Sequence, residues 1–237
     1  MKVAFYRSQD SNILRNSIFT EMLSSHLNGE HSVDMIMDDN KSVCLSRIAQ
    51  ADIVFIFAHG SHWGVFHKFE DATGEERAKL DWLFKASEEN VKLLNGKKVL
   101  AFTCFSAMPN VDGLGEVAVK KHDCKVYFGF QDKINRTFPQ EFLENLPPND
   151  QRAKNFISLV YSNVFDYCIR EAFSKNLTFK QFAQLTKHLL NKEIVRRITH
   201  EYGRTVHLSL HDKGARPVKI TADSILVHGL ENEKFCS

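Results

Sequence analysis

Ile53-Val54-Phe55-Ile56-Phe57-Ala58-His59-Gly60 is the stretch on which the fold turns. Six apolar residues, mostly β-branched or aromatic, run without a polar break and stop at a histidine and a glycine. A run of that length without alternation suits a strand buried on both faces, and such strands belong to parallel sheets covered by helices. A second run, Val99-Leu100-Ala101-Phe102-Thr103, stops at Cys104-Phe105-Ser106. Buried strands are therefore expected over 52–58 and 97–103.

The flanking sequence alternates in the same way. Residues 2–6 read as a strand. Ile13, Leu14, Ile18, Met22, Leu23 and Leu27 recur at helical spacing, so a helix is expected over 12–27 with Ser11 as its N-cap. Further strands are expected over 33–37 and 125–130, and helices over 42–51, 75–94 and 114–121. This alternation predicts an α/β fold, a three-layer α/β/α sandwich with a mostly parallel central sheet. An α+β arrangement of the same elements is the competitor. Residues 135–150, with Pro139, Pro147 and Pro148, read as a long loop. Helices over 152–173 and 179–198 follow. Strands over 205–211 and 218–227, about the turn signal Asp212-Lys213-Gly214, predict a closing hairpin. The whole is read as a single domain over 1–237, with a catalytic core over 1–132 and the remainder packed on it.

Composition narrows the function. Of 237 residues 43% are hydrophobic and 25% charged, enough apolar material for a real core. The net charge of +2 comes without a dense basic stripe, which argues against a nucleic-acid partner. No apolar run is long enough to cross a bilayer, and Arg7 interrupts the first one, so neither a membrane segment nor a signal peptide is expected. The five cysteines are widely spaced and form no C-x-x-C pair, which predicts a reduced, cytoplasmic protein without a disulfide framework or structural zinc.

In open parallel sheets ligands sit beyond the carboxyl ends of the strands. Two such ends carry His59-Gly60 and Cys104. On neighbouring strands, an imidazole and a thiol would share one crevice, as nucleophilic thiol catalysis requires. The N–H groups of Gly60 and Cys104 are candidate oxyanion donors. A helix beginning soon after Cys104 would favour the thiolate.

Apolar strand–His59-Gly60, apolar strand–Cys104, then Gly113-Leu114-Gly115 and Val126-Tyr127-Phe128-Gly129-Phe130 together resemble the caspase-like cysteine peptidases. The bacterial CHAT branch is closest in style. The 45-residue separation of His59 and Cys104 is near the caspase spacing. The resemblance covers about residues 2–132. Phe102 stands where metacaspases carry an aspartate, and Thr103-Cys104-Phe105-Ser106 departs from the caspase Gln-Ala-Cys-x-Gly. The resemblance implies a caspase-like fold and a cofactor-free cysteine endopeptidase with a Cys104–His59 dyad. It also implies a specific protein substrate, for which a gasdermin-like pore former in a bacterial antiviral defence or programmed-death module is the example. Activation by a partner or by self-association fits the same picture. It points to Asp132 as the base of a pocket for a basic residue, with Phe102 and Phe105, joined by Phe130, as the apolar alternative. Two other readings stay open: a catalytically silent or partner-activated scaffold, and a metal-dependent hydrolase built on His59, His62 and His67. For His62 and His67 a loop surface is expected, and no metal is assigned.

Overall fold

A computed structural model of the chain describes residues 1–68, 81–109, 112–134, 151–201 and 214–236. Its centre is a six-stranded sheet of β1 (Lys2–Arg7), β2 (Ser32–Ile36), β3 (Ile53–Phe57), β7 (Lys98–Phe102), β8 (Val126–Phe130) and β9 (Ile225–Gly229). The spatial order is β2-β1-β3-β7-β8-β9. The first five strands are mutually parallel, and β9 closes the edge antiparallel to β8. A small antiparallel sheet of β4 (Gly60–Ser61), β5 (Gly64–Lys68) and β6 (Asp81–Lys85) follows β3 directly.

Strand alternation sorts the core into two apolar clusters. Val3, Phe5, Ile53, Phe55, Phe57, Leu100 and Phe102 face α2 (Phe19–Leu27), α5 (Gln151–Ser174), α6 (Phe179–Arg196) and α7 (Arg216–Asp223). Ala4, Tyr6, Val54, Ile56, Val99 and Ala101 face α3 (Lys41–Ala49), the 3-10 turn Glu89–Leu94, α4 (Leu114–His122) and the small sheet. Helices thus cover both faces of a mostly parallel sheet, which explains why β3 is apolar throughout and β7 from Val99 onward. The first face is rich in aromatic contacts: Phe5 stacks on Phe55 and Phe57 on Phe102, each pair at 4.6 Å between ring centres.

Several expectations are corrected. The first helical stretch is two helices, α1 (Ser11–Asn16) and α2, and its N-cap is Asp10 rather than Ser11. The break falls at Ser17, whose hydroxyl donates to the Ile13 carbonyl at 2.6 Å and accepts from Arg7 Nε at 3.1 Å. In place of a helix over 75–94 there are β6 and the 3-10 turn, and residues 69–80 lie outside the described residues. Residues 218–227 are not one strand: α7 occupies Arg216–Asp223 and only β9 is extended. Pro217 in the first turn of α7 is the helix-start signal that the β-branched Val218 and Ile220 obscured. The partner strand expected over 205–211 and the loop over 135–150 lie outside the described residues. Residues 133–237 do more than pack on a finished core, because β9 is a strand of the central sheet.

Candidate active site

β3 and β7 are adjacent and parallel, with Phe57 opposite Phe102. Their carboxyl ends therefore bring His59 and Cys104 side by side. Gly60 sits hard against the second strand end: a Cβ there would lie 2.9 Å from the Cys104 carbonyl oxygen and 3.0 Å from Thr103 Cβ. Only glycine allows this approach. The Phe66 N–H donates to the His59 carbonyl at 2.9 Å, so the small sheet fixes the backbone that carries the imidazole.

A third strand end joins them. β1 lies on the other side of β3, with Arg7 opposite Phe57, and Asp10 follows it. Asp10 Oδ1 accepts from the Asn12 N–H at 2.8 Å and the Ile13 N–H at 3.3 Å, and lies 3.1 Å from His59 Nε2. Asp10 thus caps α1 and also stands within ion-pair distance of the imidazole.

Cys104 begins a turn rather than a helix; the next helix, α4, starts only at Leu114. Phe105 holds φ +58°, a left-handed conformation unusual for a side chain of that bulk. The turn is pinned to the exit of β8: the Phe105 N–H donates to the Asp132 carbonyl at 3.2 Å and the Ala107 N–H to the Phe130 carbonyl at 3.1 Å. The Cys104 thiol donates to the Ile134 carbonyl at 3.7 Å. Burial pushes the thiol's pKa up, with the Asp132 carboxylate adding to the rise, against smaller lowering by the Ile134 contact and Lys133. The resting group is a neutral thiol.

The other predicted residues fall in different places. Asp132 lies beside Cys104, and its Oδ1 accepts from the Lys133 N–H at 2.7 Å, a local turn cap. Phe105 is half-buried on the turn. Phe102 is a core residue, 6% exposed among Phe57, Phe128, Phe130 and Phe165, and Phe130 is fully buried with it; neither walls the crevice. His67 is not a loop residue. It is buried on β5, with Nδ1 2.8 Å from the Tyr6 hydroxyl and Nε2 3.0 Å from the Asp39 carbonyl. His62 lies against Trp63, with ring centres 4.1 Å apart. The three histidines do not converge, and among the described residues no group of three or more His, Cys, Asp or Glu side chains could hold a metal. Cys44, Cys124 and Cys168 are core residues. His228, on β9, donates through Nε2 to the Ala107 carbonyl at 3.0 Å and so braces the turn after Cys104.

No protein-family model matches the chain, and no curated protein matches it in sequence. No described helix is long and apolar enough to cross a membrane.

Proposed function

We propose that the chain is a cysteine endopeptidase of the caspase-like type acting on a specific protein substrate, with Cys104 as nucleophile and His59 as acid–base. The observation that carries this reading is the convergence of three adjacent strand ends: Asp10 after β1, His59 after β3 and Cys104 after β7. In this scheme the Cys104 sulfur attacks the scissile carbonyl carbon while its proton passes to His59 Nδ1. The imidazolium returns that proton to the leaving amine as the C–N bond breaks, and then takes a proton from the water that cleaves the thioester. Asp10 holds the ring through Nε2 and offsets its positive charge. The N–H groups of Gly60 and Cys104 are the oxyanion donors. No step calls for a metal or an organic cofactor.

The bond from the Cys104 thiol to the Ile134 carbonyl and the raised thiol pKa favour a latent resting form. A substrate carbonyl reaches the sulfur only when residues 132–134 give way. A partner or a second copy that draws this segment aside is then the activating event. The test is turnover of a peptide library by wild type and Cys104→Ala, each with and without chelator. Turnover lost in the variant and indifferent to chelator supports the reading. Turnover that survives in the variant, or that chelator abolishes, rejects it.

A further inference from the structure

The central sheet reverses its winding at β1, since the chain passes from β1 to β2 on one side and later to β3 on the other. The crevice beyond such a reversal is where open α/β sheets bind ligands. Here it opens into a cavity of about 280 Å³ at the ends of β1 and β2, on the sheet face that carries the small sheet. Asp10, Asp38 and Asp39 line it, with Ser8, Tyr6 and His67 and with the donors Arg7, Gln9 and Lys68.

Charge is not balanced across its wall. Lys68 Nζ lies 3.4 Å from Asp39, and Arg7 is turned to Glu21 at 2.9 Å and to Ser17. His67 is engaged at both ring nitrogens, Nε2 donating to the Asp39 carbonyl and Nδ1 against the Tyr6 hydroxyl. That leaves Asp38, and Asp10 with its imidazole partner, as carboxylates facing one space. Among the described residues the hydrogen bond to Asp38 Oδ1 is from a backbone N–H, that of Asn40 at 2.8 Å. The second sign of a ligand is Ser8. This residue is 5% exposed and lines the cavity, and its hydroxyl has no hydrogen-bond partner among the described residues. A buried hydroxyl left unpaired is uncommon in a folded protein.

We propose that this cavity binds an organic cation, an alkylguanidinium or alkylammonium group. Its N–H donors would bridge the Asp38 and Asp10 carboxylates and reach the Ser8 oxygen. A planar guanidinium, with five donors and no acceptor, matches the acceptors of Asp38, Asp10 and Ser8, and among the described residues no metal-binding group of three gathers there. The volume admits such a head on a short alkyl chain, and the source is either a free small molecule or a basic side chain of a peptide. This proposal goes beyond the peptidase reading and does not depend on it.

Butylguanidinium chloride titrated into the full chain, followed by histidine ring NMR signals and by calorimetry, tests the site. Saturable shifts of His59 and His67, with His188 on the exposed side of α6 unmoved, are expected, and equal concentrations of butyrate or butanol should give none. Asp38→Asn, which keeps an acceptor for the Asn40 N–H, should weaken binding roughly fivefold or more, and Ser8→Ala by a smaller factor. A blocked arginine, N-acetylarginine methylamide, distinguishes the sources: tighter binding than butylguanidinium supports a peptide side chain, and weaker binding supports a free cation. Absence of saturable binding, or unchanged affinity in both variants, overturns the site. The measurement needs no turnover, so its failure leaves the peptidase reading untouched, and an inactive protein can still bind.

Discussion

Asp10 has two jobs, and substitution separates them. Asparagine caps a helix nearly as well as aspartate, whereas alanine does not. Asp10→Asn should therefore fold with near wild-type stability, while Asp10→Ala loses about 1 kcal/mol in denaturant unfolding. Both remove the carboxylate from His59, and both should lower kcat by about two orders of magnitude or more if the ring acts as the base. Full activity in Asp10→Asn would remove Asp10 from the machinery. Cys104 yields a second prediction. A thiol whose folded pKa is raised is thiolate only at higher pH, so its alkylation by iodoacetamide should be slow at neutral pH. The midpoint should lie above the ordinary thiol value of about 8.5. Cys236, the other cysteine that is not fully buried, is its competitor; mass-spectrometric mapping across pH separates them. A midpoint at or below the ordinary value contradicts the burial of the thiol. At this scale the sequence was legible for His59, Gly60 and Cys104, because each stands directly after a fully apolar run. Asp10 was legible by the same rule, since it follows the strand over 2–6, but Ser11 beside it is an equally good cap by type. Nothing in residue type says which of two adjacent side chains meets an imidazole across a strand boundary. Phe102, the last residue of β7, is 6% exposed among aromatic rings, so burial rather than residue type decides that it belongs to the core.

At the scale of elements, β3, β7, β8 and α4 were read to within a residue or so, since continuous apolar runs flanked by polar residues leave little choice. β6 was missed because its pairing with β5 carries register irregularities, which break the two-residue period that would reveal a strand. A buried lysine helps tie the chain end to the sheet. Lys98 is 2% exposed on β7, and its Nζ donates to the carbonyls of Lys234 at 2.6 Å and Phe235 at 3.1 Å, 3.4 Å from Glu233. Burial pushes its pKa down, yet these acceptors keep the ammonium in place. Lys98→Met fills similar volume but leaves acceptors unpaired, at a cost of about 1–3 kcal/mol. The variant should unfold at lower denaturant, and amide exchange should rise first in residues 225–236. Protection there equal to wild type would show that Phe235, packed against Phe173 and Phe179, holds the end by itself.

Across the whole molecule, one sheet reversal organises both sites. β1 sits at the pivot, so the chain emerging from it supplies Ser8 to one face of the sheet and Asp10 to the junction with His59. The layering was visible in the sequence because helix-spaced and unbroken apolar segments alternate. The strand order and the antiparallel closing strand were not, since pairing joins segments as distant as Val126 and Gly229. The central claim is that Cys104 and His59 act as one unit at adjacent strand ends. A peptide acyloxymethyl ketone, which alkylates a cysteine only after binding as a substrate does, reads that unit directly. Incubated with wild type, Cys104→Ala and His59→Ala and mapped by mass spectrometry, the account predicts an adduct on Cys104 in wild type alone. An adduct on another cysteine, or equal labelling of Cys104 without His59, would contradict it.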